Sequence, residues 1–188
     1  MDLMVDIETL GQHHDAHILS IGAVLFDPYS LESYDGLEIE DIFTPSHKFY
    51  QLVTGNTQRR RIEASTVLWW MKTSDEARKE INGEKHVDLN LALAYLCRFY
   101  KDNQGKHIWS YGSMFDQVIL NDAMDQYNMV NPFHYQSNMC MRTLAAIPKK
   151  LGKEIVKPII KGIVEHNPLH DAIRQAVWAQ QIFAALRS

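Results

Sequence analysis

Three short segments carry most of the side chains able to do chemistry. Asp6-Ile7-Glu8 ends an aliphatic run near the N-terminus. Side chains alternate along a strand, so residues two apart share a face and both carboxylates would point the same way. Adjacent anions repel, and a hard divalent cation placed between them relieves the repulsion because such ions prefer carboxylate oxygens. The plain alternative is a solvated strand end, since the chain holds 23 acidic residues. Asp116 stands just past Gly112 in a strand-to-helix turn, from which it could face the first pair across the sheet edge. Ser113-x-x-Asp116 also reads as a capping pattern, in which the carboxylate only complements helix N–H groups. His166 and Asp171 bracket the start of the last helix, where the bland reading is an acid in a first turn with His170 as a surface neighbour. In combination, four carboxylates and one histidine can build a two-metal hydrolytic site with a general base.

The elements that must position these residues are legible in outline. Leu3-Met4-Val5-Asp6-Ile7 and Ile18 to Phe26 read as strands, the second closed by Asp27-Pro28-Tyr29-Ser30. His47 to Val53 is a weaker third strand that completes an N-terminal meander. Helical patterns follow residue 62. Thr73-Ser74-Asp75-Glu76 has the form of a capping box, and Leu89, Ala92, Leu93, Leu96 and Tyr100 repeat at helical spacing. His107 to Gly112 reads as a strand running directly into a helix that starts at Ser113, with Leu120, Ala123, Met124 and Tyr127 as its apolar side. The last helix has Asn167 as N-cap, Pro168 at its first position, and Leu169, Ile173, Ala176, Gln180 and Phe183 on one face. Residues 142 to 161 set six cations against Glu154 alone and include two prolines and Gly152, so they read as a basic loop. Strands first and strand–helix units after them predict an α/β fold on a mixed sheet, in one domain over residues 1–188.

The order Asp6-Ile7-Glu8-Thr9, Phe115-Asp116 after a strand, and His166 five positions before Asp171 resembles the DEDDh group of 3′-to-5′ exonucleases. The related tyrosine subgroup places Tyr where this chain has Asn167. More narrowly, the chain is similar to the exonuclease A family of T-even phages and related single-domain phage exonucleases. That similarity runs through Asp6 to Gly11, Ile21 to Pro28, Thr66 to Trp70 with Ser74 to Arg78, Ser113 to Leu120, and His166 to Asp171.

The resemblance implies an RNase H-like fold, with a central mixed sheet of antiparallel meander plus parallel strands flanked by helices. It implies that Asp6, Glu8, Asp116 and Asp171 hold two Mg²⁺ or Mn²⁺ ions and that His166 takes a proton from the attacking water. The products would be nucleoside 5′-monophosphates. Thr9, Leu10 and Trp70 would meet the terminal nucleotide. Single-stranded ends are the expected substrate, because an unpaired nucleotide enters a narrow site without an opening cost. DNA is favoured by the phage resemblance, with RNA as the alternative partner. A binding protein that had kept the fold and lost turnover should lack one of the five site residues, and this chain retains all five. Related enzymes often form homodimers, although no heptad or interface stripe appears in this sequence.

Composition sets the remaining expectations. With 188 residues, 46% apolar, the chain suits one ordinary core rather than disorder or a coiled coil. No run approaches the roughly 18 apolar residues of a membrane helix, and Asp2 and Asp6 interrupt the N-terminal run, so a cytoplasmic location and no membrane partner are expected. The net charge of −4 means that any contact with a polyanion must be local. Arg59-Arg60-Arg61 and the Lys149-to-Lys161 stretch could neutralise phosphates or simply form solvated positive faces. Trp69 and Trp70 could stack a base, yet adjacent helical positions diverge, so at least one should be core. His13-His14-x-x-His17 lacks partners at ligand spacing and reads as a solvated loop, and Cys97 and Cys140 read as buried small hydrophobes.

Overall fold

The computed structural model of the chain describes residues 1–187. Six strands, β1 (Asp2–Thr9), β2 (Ile18–Phe26), β3 (Lys48–Val53), β4 (His86–Val87), β5 (Ile108–Ser110) and β6 (Asn138–Cys140), form one sheet in the order β4-β3-β2-β1-β5-β6. The expected meander is there: β1 pairs antiparallel with β2 from Asp2↔Phe26 through Glu8↔Ser20, and β2 pairs antiparallel with β3. Strands β5 and β6 extend the other side of β1 in parallel. The helices are α1 (Ala64–Trp70), α2 (Asp75–Ile81), α3 (Leu89–Asp102), α4 (Asp116–Gln126), α5 (Met141–Lys150) and α6 (Pro168–Arg187).

Alternation along β1 divides the core between two layers. Leu3, Val5 and Ile7 pack with Leu93 and Leu96 of α3 and Leu120 of α4. Met4 faces the opposite way, with Met141 and Leu144 of α5 and Ile173 and Val177 of α6. Carried two and four residues on, the face of Met4 holds Asp6 and Glu8. Both carboxylates therefore look toward the helix that carries Asp171.

Several local expectations need correction. Residues 142 to 161 are not loop throughout. Met141–Lys150 is a helix because Met141 and Leu144 find a hydrophobic cluster to cover, and tertiary burial overrides Pro148, itself buried near the last turn. The helix after β5 starts at Asp116, not Ser113, with no side-chain cap at its N-terminus, so the Ser113 capping pattern is not formed. At α2 only Ser74 caps, accepting from the Ala77 N–H at 3.2 Å. Cys97 is buried, but Cys140 is half-exposed at the start of α5. Burial there works to raise the Cys140 thiol pKa, and hydrogen bonding to Thr143 and to nearby backbone outweighs it, bringing the group down to about 7.

Candidate active site

The geometry of the site starts from a close approach of α6 to β2. A Cβ on Gly22 would lie 2.1 Å from the Leu169 nitrogen and 2.2 Å from the Pro168 carbonyl carbon, so only glycine lets the helix start rest on the strand. Gly22 is the register partner of Asp6. The N-terminus of α6 is thus seated directly beside the first acidic pair. Asn167 caps it as expected, its Oδ1 accepting from the Leu169 and His170 N–H groups at 3.0 and 3.1 Å.

The turn before α6 is fixed from several sides. His166 has φ of +63°, in the left-handed region that non-glycine residues seldom occupy, and its N–H donates to Asp171 Oδ2 at 3.3 Å. His170 is buried rather than a surface neighbour. Its Nδ1 accepts from the Val164 N–H at 3.0 Å, and its Nε2 lies 3.2 Å from Glu40 Oε1. That pairing assigns the neutral ring with its proton on Nε2 and ties the segment bearing His166 to the body of the protein.

These placements bring all five expected residues to one cleft of about 350 Å³, lined by Asp6, Glu8, Asp116, His166 and Asp171. Donor atoms of Glu8, His166 and Asp171 lie within 4.8 Å of one another, and His166 Nδ1 is 3.9 Å from Glu8 Oε1. Asp116 is only 4% exposed, and its Oδ1 accepts from the Ile7 N–H at 3.3 Å, which ties the start of α4 to β1. That cross-sheet bond, with no cap formed, places Asp116 in the acidic cluster.

Burial and mutual repulsion shape the electrostatics. Loss of solvent pushes the Asp6 carboxyl well above its ordinary pKa, reinforced by Asp116 and Asp171 and opposed by a hydrogen bond from Gln175. Glu8 is raised in the same way by burial and then by Asp6, Asp171 and Asp116. Asp116 is raised to about 7 by burial, with hydrogen bonds opposing. A cluster of hard oxygen donors whose ionised forms repel fits divalent Mg²⁺ or Mn²⁺, because the ion would offset the repulsion and desolvation that raise their pKa values.

The surrounding side chains were not singled out by the sequence reading. Gln175 Nε2 donates to Asp6 Oδ1 at 2.8 Å, Arg174 pairs with Asp171, and Lys157 Nζ lies 3.8 Å from Asp171 Oδ1. Arg174 and Gln175 follow Asp171 by three and four positions, a helical spacing that was available as a signal. Lys157 gave none beyond belonging to a basic stretch.

A second cavity of about 370 Å³ adjoins the acidic cleft and shares Ile7, Glu8 and Phe115 with it. Thr9, Trp69 and Trp70 line it, and Leu10 does not. The two tryptophans differ in kind. Trp70 is buried, and its Nε1 donates to the Thr9 carbonyl at 2.9 Å, holding the end of β1. Trp69 is 45% exposed and sets its ring edge-to-face against His166, with centroids 4.8 Å apart. The exposed indole is therefore Trp69.

Other candidates resolve differently. His13 and His14 are exposed beside Glu63 and Asp122, while His17 is buried, contrary to a loop solvated throughout. Burial, then Arg60, lowers the His17 pKa. Arg60 is locked inside, donating to the carbonyls of Ala16 and His14 and to Asp122, so it offers nothing to a phosphate.

Carboxylates from β1, α4 and α6 thus meet in one cleft of a six-stranded mixed sheet flanked by helices. The family model described as the 3'-5' exoribonuclease Rv2179c-like domain matches residues 1–183. The chain belongs to that family and is a 3′-to-5′ exonuclease. It is 24% identical to an exodeoxyribonuclease of Enterobacteria phage T4 over 197 residues, spanning 92% of this chain and 85% of that protein. Among solved structures it resembles the nuclease domain of 3'hExo, a DEDDh family member bound to rAMP, with TM-score 0.56 and 15% identity over 97% of this chain and 91% of that one. It also resembles S. pombe Pop2p in its Mg²⁺- and Mn²⁺-bound form, with TM-score 0.53 and 16% identity over 99% and 82% of the two chains. No helix among the described residues is long and apolar enough to cross a membrane.

Proposed function

We propose that this exonuclease acts on single-stranded 3′ ends, with DNA as its preferred polymer, and releases nucleoside 5′-monophosphates. The observation that carries the reading is the junction of two cavities at Glu8: an acidic cleft that can hold a phosphodiester opens onto a pocket walled by Thr9 and Trp69. A terminal nucleotide in the second places its own 5′ phosphate in the first. The 92% span of similarity to a phage exodeoxyribonuclease supports DNA, and the description of the matching family supports RNA as the second reading.

In this reading Asp6, Glu8, Asp116 and Asp171 would hold two divalent cations, Mg²⁺ or Mn²⁺. Such cations supply charge neutralisation at the scissile phosphate and acidify a water for attack. His166 accepts that water's proton through its imidazole. Its ring is partly exposed at the mouth of the cleft, fixed by the left-handed turn at its own Cα and by the edge of Trp69. Gln175 orients Asp6, and Arg174 orients Asp171. Trp70 supports Thr9 from behind, so the residue just past the acidic pair keeps its place against the terminal sugar.

The test is a timed digestion of matched 5′-labelled single-stranded DNA and RNA in Mg²⁺ or Mn²⁺, with EDTA and Asp6→Ala as controls. A metal-dependent ladder shortening from the 3′ end, faster on DNA, is expected. A faster RNA ladder overturns the polymer preference, and no shortening of either strand by folded, metal-binding protein overturns the substrate class.

A further inference from the structure

We propose that Arg142 and Lys157, gathered on the ring of Tyr111, form a subsite for backbone phosphates of the strand upstream of the scissile bond. The proposal rests on reading the acidic cleft as the exonuclease site. Tyr111 lines that cleft and is not among Ile7, Glu8 and Phe115, the residues the cleft shares with the Trp69 pocket. In this proposal a strand whose last nucleotide fills the Trp69 pocket and whose scissile phosphate sits among the acids leaves past Tyr111 and Lys157, which line the cleft outside its junction with that pocket. There its next phosphates meet a chain of net charge −4, so local cations are needed to hold them.

The subsite is built rather than incidental. The Tyr111 ring stacks on Trp178 of α6, with centroids 6.1 Å apart and planes at 25°. Trp178 in turn donates from Nε1 to the Ile155 carbonyl at 2.9 Å, anchoring the segment that carries Lys157. The Lys157 ammonium lies 5.8 Å from the Tyr111 centroid. The Arg142 guanidinium lies 5.0 Å from the same centroid, and its Nη2 donates to the Tyr111 carbonyl at 3.3 Å. Gly112, beside it, has φ of +121°, a conformation that side-chain-bearing residues rarely adopt. Among the described residues Arg142 makes no close ion pair; its charge acts at longer range to lower the Asp116 pKa, and its remaining forked donors are available to a phosphate. Of the basic stretch, Lys149 is paired with Glu154 on the surface, and Lys157 lines the cleft.

Arg142→Gln is the cleaner probe, since Lys157 also approaches Asp171. Binding of a 5′-fluorescein 12-mer of thymidylate is measured by anisotropy in Ca²⁺ across a salt series. The variant should bind about tenfold more weakly, with a log–log salt slope shallower by about 0.7, the value for one phosphate contact on a single strand. Methylphosphonate replacement of single upstream phosphates should cost the wild type as much at one position, and cost the variant nothing further there. Turnover of thymidine 5′-monophosphate p-nitrophenyl ester in Mn²⁺, which has no upstream strand, should change far less than oligonucleotide affinity, by no more than the loss of the Arg142 charge near Asp116 accounts for. Unaltered affinity and slope, a parallel loss of ester turnover, or equal methylphosphonate penalties in both proteins would each overturn the subsite. A wild type that shows the binding pattern yet shortens no strand would uphold the subsite and overturn the exonuclease reading of the cleft.

Discussion

Gly22 on β2 and Pro168 at the start of α6 are in backbone contact, close enough that a single methyl group would occupy the space of the Pro168 carbonyl. This contact sets the distance between the acidic pair of β1 and Asp171, because Gly22 sits beside Asp6 in register. Gly22→Ala should push the helix start outward. Overpacking of this kind costs about 1–3 kcal/mol, and displacement of one catalytic group by about 1 Å can cost about a hundredfold in rate. A variant that melts within a degree of wild type and keeps full nuclease activity would show that α6 can rest elsewhere.

The acidic cluster makes a pH prediction with a definite sign. Asp6, Glu8 and Asp116 all have folded-state pKa values above their ordinary ones, Asp116 reaching about 7. The native state therefore holds more protons than the unfolded chain between the two values, and stability falls as pH rises through that window. Each group contributes at most about 1.4 kcal/mol per pH unit. In EDTA, Asp116→Asn should melt above wild type at pH 7.5, with the gap closing near pH 4. Mn²⁺ should raise the wild-type melting temperature at pH 7.5 and raise that of the variant less. Equal gaps at both pH values would remove the electrostatic account.

His166→Gln tests the proton acceptor. General-base removal typically costs about 10²–10⁴ in turnover. Calorimetric titration should still detect Mn²⁺, since the four carboxylates remain. A variant that retains the wild-type rate would assign proton transfer elsewhere.

The two tryptophans should separate cleanly. Trp69→Ala removes the exposed indole and should raise KM for an oligonucleotide, because base stacking on an aromatic ring is worth about 1–3 kcal/mol. Trp70→Ala empties a buried site and frees the Thr9 carbonyl, so its main effect should be a loss of about 3–5 kcal/mol in stability. Denaturant melts alongside steady-state kinetics distinguish the two. The opposite assignment of effects would reverse the roles given to these side chains.

Much of this site was legible in the chain itself. Asp6 and Glu8 are separated by one residue in an apolar strand, and the period of two alone puts them on one face. Asn167 and Pro168 mark a helix start by cap chemistry, and that local rule held at α6 while the comparable pattern at Ser113 did not. The difference is tertiary: Asp116 found a partner in the Ile7 N–H, 109 positions away, which no local pattern encodes. Strands of two and three residues, β4 and β6, are too short to show a period, and they exist because a neighbouring edge offered hydrogen bonds. Helix α5 likewise took its shape from the hydrophobic cluster beneath Met141 and Leu144 rather than from its lysines and proline. Residue type and spacing thus determined which groups could do the chemistry. Only the packed structure decided which tryptophan is exposed, which arginine is buried, and that Lys157 and Arg142 meet at Tyr111, because those outcomes depend on contacts between segments distant along the chain.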